Sequence, residues 1–327
     1  MKRNNYVRKS MLILVLVVFG LGIFCSASFA LQKFVSIGSA NPGGNWFVMG
    51  GGITTLLNDE LRKSKGVNFV SESTGGTVEN IRRMRAGEMD LGMSHAGPMY
   101  NAYTGKDAWA DNPYPGLRGF AKIYASHYTF LTTQKTGIKT IEDLVGKKVE
   151  VGPAGSGSYA NAEAILTSLG IWDKIEKSTL VFADAGRALG DGNIDAIAQA
   201  GAPHPYLLTL EATNPIQLIT ISEDDLKKVS EKYPYYYIDT LAPTAYESYG
   251  KPYQCIYFAV YLIADENLDA ETGYEIAKVI FSEEGKKYLG KVHQYWDSLE
   301  DGISEFAAMG IKLHKGAEKY FEEAGIS

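Results

Sequence analysis

The chain predicts a mostly parallel, doubly wound α/β fold. Three stretches carry that prediction, each a short β-rich run, a glycine-rich turn and a helix-favouring segment. They start near Phe34, Val67 and Lys147. The third, Lys147–Gly170, reads KKVEVGPAGSGSYANAEAILTSLG. Such a unit gathers free backbone N–H groups and the positive end of a helix dipole at one spot, which suits a carboxylate or phosphate.

In chain order, FVSIG at Phe34–Gly38 predicts a strand, Asn41-Pro42-Gly43-Gly44 a turn, and Asn45–Leu61 a helix with apolar Phe47, Met49, Ile53, Leu56, Leu57 and Leu61. Val67–Ser71 predicts a second strand, followed by Thr74-Gly75-Gly76-Thr77 and a helix over Val78–Arg85. Met89–Met93 predicts a third strand, and the turn-formers of Asn101–Pro115 a long surface loop. Phe120–Thr133 predicts a long strand and Ile138–Leu144 a short helix capped by Thr140. After the glycine loop come expected strands at Leu180–Ala183, Asp195–Gln199 and Ile216–Ile221, with helices at Asp184–Leu189 and Glu223–Lys232. The apolar run Ile256–Ile263 suits a buried strand, and Ala270–Leu289 and Glu300–Ala324 read as closing helices.

Lys2, Arg3, Arg8 and Lys9 precede an uncharged run, Met11–Phe24, and then Ser28-Phe29-Ala30. That run is shorter than the ~20 residues that span a bilayer. Residues 1–30 therefore predict a signal peptide, cleaved after about Ala30, and a periplasmic location. The remaining 297 residues carry 28 basic side chains against 38 acidic ones, a net charge of −10. An acidic chain without basic clusters excludes nucleic acid as a partner. Cys255 is the one cysteine left after that cleavage, so neither an internal disulfide nor a cysteine-based metal cluster is expected.

Gly155-x-Gly157-x-x-Ala160 matches a dinucleotide fingerprint between strand and helix, but an exported chain has little access to NAD. Ala154-x-Ser156-x-Ser158 lacks the flanking glycines of a nucleophile elbow. The five histidines show no zinc-site spacing. No catalytic constellation, metal site or cofactor is expected.

Four stretches in order, IGSANPGGNWFVMGGGI (Ile37–Ile53), STGGTVENIRRMRAGEMDLGM (Ser73–Met93), IKTIEDLVGKKVEVGPAGSGS (Ile138–Ser158) and LGDGNIDAIAQAGAPHP (Leu189–Pro205), closely resemble the TAXI-type extracytoplasmic solute receptors of TRAP transporters. The resemblance covers essentially the whole mature chain. It implies a type-II periplasmic-binding-protein fold: two α/β lobes, each a mostly parallel sheet flanked by helices, with a ligand cleft between them. The first lobe would take residues 31–130 and 257–327, the second residues 131–256. Tyr128–Thr133 and Tyr257–Ile263 would cross between them. The implied partners are a small-molecule carboxylate, of the glutamate or 2-oxoglutarate class, and a TRAP-type membrane permease, with the receptor a monomer. Where the family's first loop reads Gly-Gly-Thr-Tyr, Gly43-Gly44 here precede Asn45-Trp46. Its second and third loops are matched by Gly75-Gly76-Thr77 with Asn80 and by Gly155-Ser156-Gly157-Ser158.

The expected ligand-binding residues are Asn45, Trp46, Thr77, Asn80, His95, Ser156, Gly157, Ser158 and Gln199. Each has a plain structural alternative. Ser156 and Ser158 can cap the following helix, and Asn80 can hold its loop. Trp46 can be a buried core residue and His95 a structural histidine. The tyrosines at positions 233 and 235–237 suit lobe packing better than a binding wall. Alternatives for the whole protein are a sensory binding component on the same fold or a periplasmic enzyme, although no reactive dyad is visible.

Overall fold

The computed structural model describes residues 33–326, and the expected signal peptide lies outside the described residues. One ten-stranded sheet forms the centre of the molecule. Strand β1 (Phe34–Gly38) leads through the Asn41–Gly44 turn into α1 (Asn45–Lys65). Strand β2 (Asn68–Glu72) leads into α2 (Thr77–Arg85), and β3 (Leu91–His95) directly into α3 (Ala96–Thr104). The long β4 (Leu117–Thr133) follows, then β5 (Lys148–Glu150) and α4 (Gly157–Ser168). Next come β6 (Glu176–Ser178), α5 (Phe182–Gly190), β7 (Ala196–Ala200), α6 (Pro205–Glu211), β8 (Ile216–Leu218) and α7 (Glu223–Lys232). Strands β9 (Tyr237–Leu241) and β10 (Tyr253–Asp265) precede α8 (Ala270–Phe281), α9 (Glu283–Val292), α10 (Ile303–Ala308) and α11 (Lys315–Glu323).

The path through the sheet is β2-β1-β3-β10-β4-β7-β5-β6. Strand β1 pairs in parallel with β2 and β3, and β5 pairs in parallel with β6 and β7. Between these triplets stand β10 and β4, antiparallel to one another and to their outer neighbours. They have 13 and 17 residues, beyond the usual strand length of ~5–6. Both are buried along most of their length, which matches the near-continuous apolar run of β10. The expected parallel α/β units are present, hung on an antiparallel centre. One core cluster packs Leu131, Ile197, Leu207, Leu218 and Cys255 beside that centre. Burial pushes the Cys255 thiol up to about 12, so it is an inert core residue.

Four expectations about elements are corrected. The supposed loop from Asn101 to Pro115 begins inside α3 and continues as a 3-10 turn, Asp107–Trp109, with Trp109 buried. Leu180–Ala183 is not a strand: β6 lies earlier, and Phe182 opens α5. The expected helix Ala270–Leu289 is two helices, because the Ser282 hydroxyl accepts from the Gly285 amide and starts a new one. Glu300–Ala324 is likewise divided between α10 and α11, interrupted where Gly310 takes a positive φ of 70°.

Candidate functional site

The N-termini of α1 and α4 meet the ends of β3 and β7 around a cavity of about 60 Å³. Seven of the nine expected residues line it: Asn45, Trp46, His95, Ser156, Gly157, Ser158 and Gln199. No lysine, arginine, aspartate or glutamate is among its lining residues. The polar groups are amides, hydroxyls and imidazoles.

Helix α1 is 21 residues long, and Gly44 stands at its N-cap with no side chain to cap it. Its first-turn amides lack intrahelical partners, and the axial dipole concentrates positive potential there. Helix α4 is capped by Ser156, whose Oγ accepts from the Tyr159 amide at 3.1 Å. The Ser158 Oγ accepts from Gln199 Nε2 at 3.2 Å and the Ala200 amide at 3.4 Å. Because each serine oxygen already accepts from the protein, its own proton is the one left to donate. Both Gln199 amide protons are spent, since Nε2 also donates to the Ala200 carbonyl at 2.8 Å, and Oε1 accepts from Tyr206 Oη at 3.4 Å. It ties β7 to α4 and offers the cavity no donor.

His95 forms the inner wall, edge-on to Trp46 with ring centroids 5.0 Å apart. Tyr236 Oη donates to Asn161 Oδ1 at 2.6 Å, and Asn161 Nδ2 meets His95 Nδ1 at 2.9 Å. With the Asn161 oxygen already accepting, its amide nitrogen donates, so Nδ1 accepts and the ring proton sits on Nε2. Burial holds the His95 imidazole down at about 3, a hydrogen bond to the Gly157 backbone offsetting part of that. The ring is neutral at ordinary pH. Trp46 packs with 8% exposure, and its Nε1 donates to Tyr124 Oη at 2.8 Å. The indole can therefore present a flat apolar face but no free donor.

Thr77 and Asn80 do not line the cavity. Thr77 Oγ1 accepts from the His95 amide at 3.2 Å. Asn80 is fully buried: Nδ2 donates to the carbonyls of Ser39 and Met93, and Oδ1 accepts from Thr74 Oγ1. Both brace the loops from beneath. The N-terminus of α2, expected to serve the ligand, is spent within the protein. The Val78 and Glu79 amides donate to the Gly155 carbonyl at 3.1 and 3.3 Å. The Gly76 amide donates to Thr74 Oγ1 and the Gly75 amide to Glu79 Oε2. This contact brings the two glycine loops together, and Gly157 permits it: a Cβ there would stand 2.2 Å from His95 Nδ1 and 2.7 Å from Thr77 Oγ1.

Sequence reasoning missed Tyr124, Phe182 and His204, which complete the cavity wall. Phe182 and His204 stack at 4.9 Å, and burial lowers His204 to about 4. His204 lies in the Ala-Pro-His-Pro run just beyond β7, so its position after a strand end was the available signal. Beneath the third loop, Glu150 Oε2 accepts from the Gly152 amide at 2.8 Å. Burial drives this carboxyl up to about 8, against the lowering effect of hydrogen bonds from the Gly152 and Leu180 backbone.

The fold is similar to that of PhnD1 from Prochlorococcus marinus, solved in complex with methylphosphonate. The match has a TM-score of 0.54 at 13% identity and covers 90% of this chain and 99% of that one. The periplasmic aliphatic sulphonate binding protein SsuA from Escherichia coli matches over 90% of this chain and 94% of its own, at 16% identity and a TM-score of 0.45. At such identities the first match establishes the fold alone, the type-II periplasmic-binding-protein architecture. Residues 37–325 match the model of the NMT1-like family, and the chain belongs to that family.

Proposed function

We propose that the protein is an exported, monomeric solute receptor, without catalytic activity, that captures a small anion and hands it to a membrane permease. One observation carries this: the cavity is lined by hydrogen-bond donors at two helix N-termini and by no charged side chain. Neutral donors plus helix dipoles suit an anion, whose charge they stabilise without a counter-ion. The amides of α1 and α4, the Ser156 and Ser158 hydroxyls and Asn45 would hold its oxygens. Trp46 would lie against its carbon skeleton.

The same lining narrows the carboxylate class. An α-ammonium group needs a carboxylate or several acceptors when desolvated, and no acidic residue lines this cavity. We therefore favour a small organic acid without an amino group over glutamate. Residues 31–130 with 257–327, and residues 131–256, would be the two lobes, closing on the solute by population shift. A TRAP-type permease is the partner implied by the resemblance of the four glycine-loop stretches.

A thermal-shift panel tests this with 2-oxoglutarate, pyruvate, methylphosphonate, methanesulfonate and L-glutamate, each followed by mass spectrometry of the recovered solute. An organic acid should raise the melting temperature and be recovered unchanged, since ligand bound only to the native state stabilises it. Turnover of the best binder, or no shift with any of the acids, would overturn the proposal.

A further inference from the structure

A second, larger cavity of about 430 Å³ lies among α2, α3, α4 and the segment before β9, sharing Ser156 with the first. Its size falls in the range of small-molecule sites. Its walls are aromatic: Trp109, Tyr235 and Tyr236 are buried, and Tyr159 and Tyr233 partly so. Its mouth carries Arg82, Asp107 and Glu163. None of these three is ion-paired among the described residues. Arg82 rests 6.0 Å from the Trp109 ring centroid. Asp107 Oδ2 accepts from Asn101 Nδ2 at 2.7 Å. Burial, with the repulsion of Asp107 as the next cause, raises the Glu163 carboxyl above its usual range. The contrast with the first cavity is one of charge: there no ionic side chain, here both signs unpaired over an aromatic interior.

We propose that this cavity binds a zwitterion with an apolar or aromatic body, an α-amino acid being the simplest example. The ammonium would sit by Asp107 and Glu163, the carboxylate by Arg82, and the body against Tyr235 and Tyr236. Each alternative with one charge meets an opposing group. A bare amine faces Arg82, and a bare acid faces two carboxylates. Arg82 suits the carboxylate because its planar fork can engage both oxygens, and the tyrosine faces suit both an ammonium and a ring. The site adjoins the proposed anion cavity at Ser156 and does not depend on that assignment.

Isothermal titration with L-phenylalanine, phenethylamine and 3-phenylpropionate tests it, because the last two each lack one charge. L-Phenylalanine should bind one to one, at least about tenfold more tightly than either analogue, a difference of about 1.4 kcal/mol. Glu163→Gln and Arg82→Gln should each weaken it by about tenfold or more. Both side chains are exposed, so the variants should fold, and circular dichroism melts check this. No binding of L-phenylalanine to the unaltered protein at millimolar concentration would overturn the proposal. So would equal binding of either analogue, or full affinity in either charge variant.

Discussion

Glu150→Gln should make stability less dependent on pH in one direction and one window. The Glu150 carboxyl is buried below the third glycine loop, and its pKa is raised from 4.5 to about 8, chiefly by that burial. Between those values the native state holds a proton that the unfolded chain releases. Unfolding therefore liberates a proton, and stability must fall as pH rises through the window. Each unit of pH is worth about 1.4 kcal/mol per group, so from pH 5 to pH 8 the loss is about 4 kcal/mol at most. Glutamine has nearly the same shape, can accept from the Gly152 amide, and cannot ionise. Urea denaturation at pH 5, 6.5, 8 and 9, followed by tryptophan fluorescence, gives the stability of both proteins. The variant should gain steadily on the natural chain up to about pH 8 and then run parallel to it. A stability difference constant within about 0.5 kcal/mol from pH 5 to pH 9 would refute the reasoning, because it would mean that the carboxyl is ionised in the fold throughout.

On the acid side the sign reverses. His95 and His204 are neutral in the fold, lowered by burial to about 3 and about 4, so below about pH 6.5 the unfolded chain takes up protons they refuse. Together they should steepen acid unfolding by about 2.7 kcal/mol per pH unit, and His204→Gln should remove about half of that in acid titrations followed by circular dichroism. Asn161→Leu leaves the buried Tyr236 hydroxyl and His95 Nδ1 without their partner, at about 1–3 kcal/mol each by denaturant melts. Nitrogen chemical shifts of His95 should show the proton on Nε2 in the natural chain; a proton on Nδ1 would refute the relay. Gly157→Ala drives a methyl into the His95 ring and should cost about 1–3 kcal/mol, read as a lowered melting temperature.

Much of this was legible in the sequence because glycine and hydrophobic periodicity act locally. The strand, turn and helix units at Phe34, Val67 and Lys147 needed only short-range signals. Elements that depend on distant partners were not legible. Asn101–Pro115 carries Asn, Gly, Asp and Pro, yet α3 and the following turn form because Met99, Ala102 and Trp109 find buried contacts in the tertiary structure. The divided C-terminal helices were partly readable, since Ser282 and Gly310 are ordinary helix punctuation. At the site, the glycine loops located Asn45, Trp46 and Ser156–Ser158, but no spacing links Tyr124 on β4 or Phe182 on α5 to them. Asn161 was invisible for the same reason. Its amide matters only because Tyr236, 75 positions away, and His95, 66 positions away, converge on it.

Sequence alone made the three helix N-termini look equivalent, and the structure separates them by role. Two, on α1 and α4, face the cavity. The third, on α2, is closed by the Gly155 carbonyl, so its dipole holds the third loop in place instead of holding solute. At about 1 kcal/mol net for an ordinary hydrogen bond, the two amides on Gly155 contribute about 2 kcal/mol to keeping the loops together before any solute arrives. A solute that must shift a closing equilibrium from 1:99 to 99:1 has to favour the closed form by about 5.5 kcal/mol. Under the proposed closure mechanism this latch would act on the starting ratio instead, bringing the closed form about 2 kcal/mol nearer, and the preference would remain the ligand's own. That preference would fall wholly to a ligand small enough for a 60 Å³ cavity. A small anion making a few charge-assisted hydrogen bonds to neutral donors, each worth about 1.5–3 kcal/mol, is sufficient. Under the proposed function, a latch that lessens the work of closing and neutral donors that hold the anion would together let a receptor close on its cargo with no charged side chain lining the cavity.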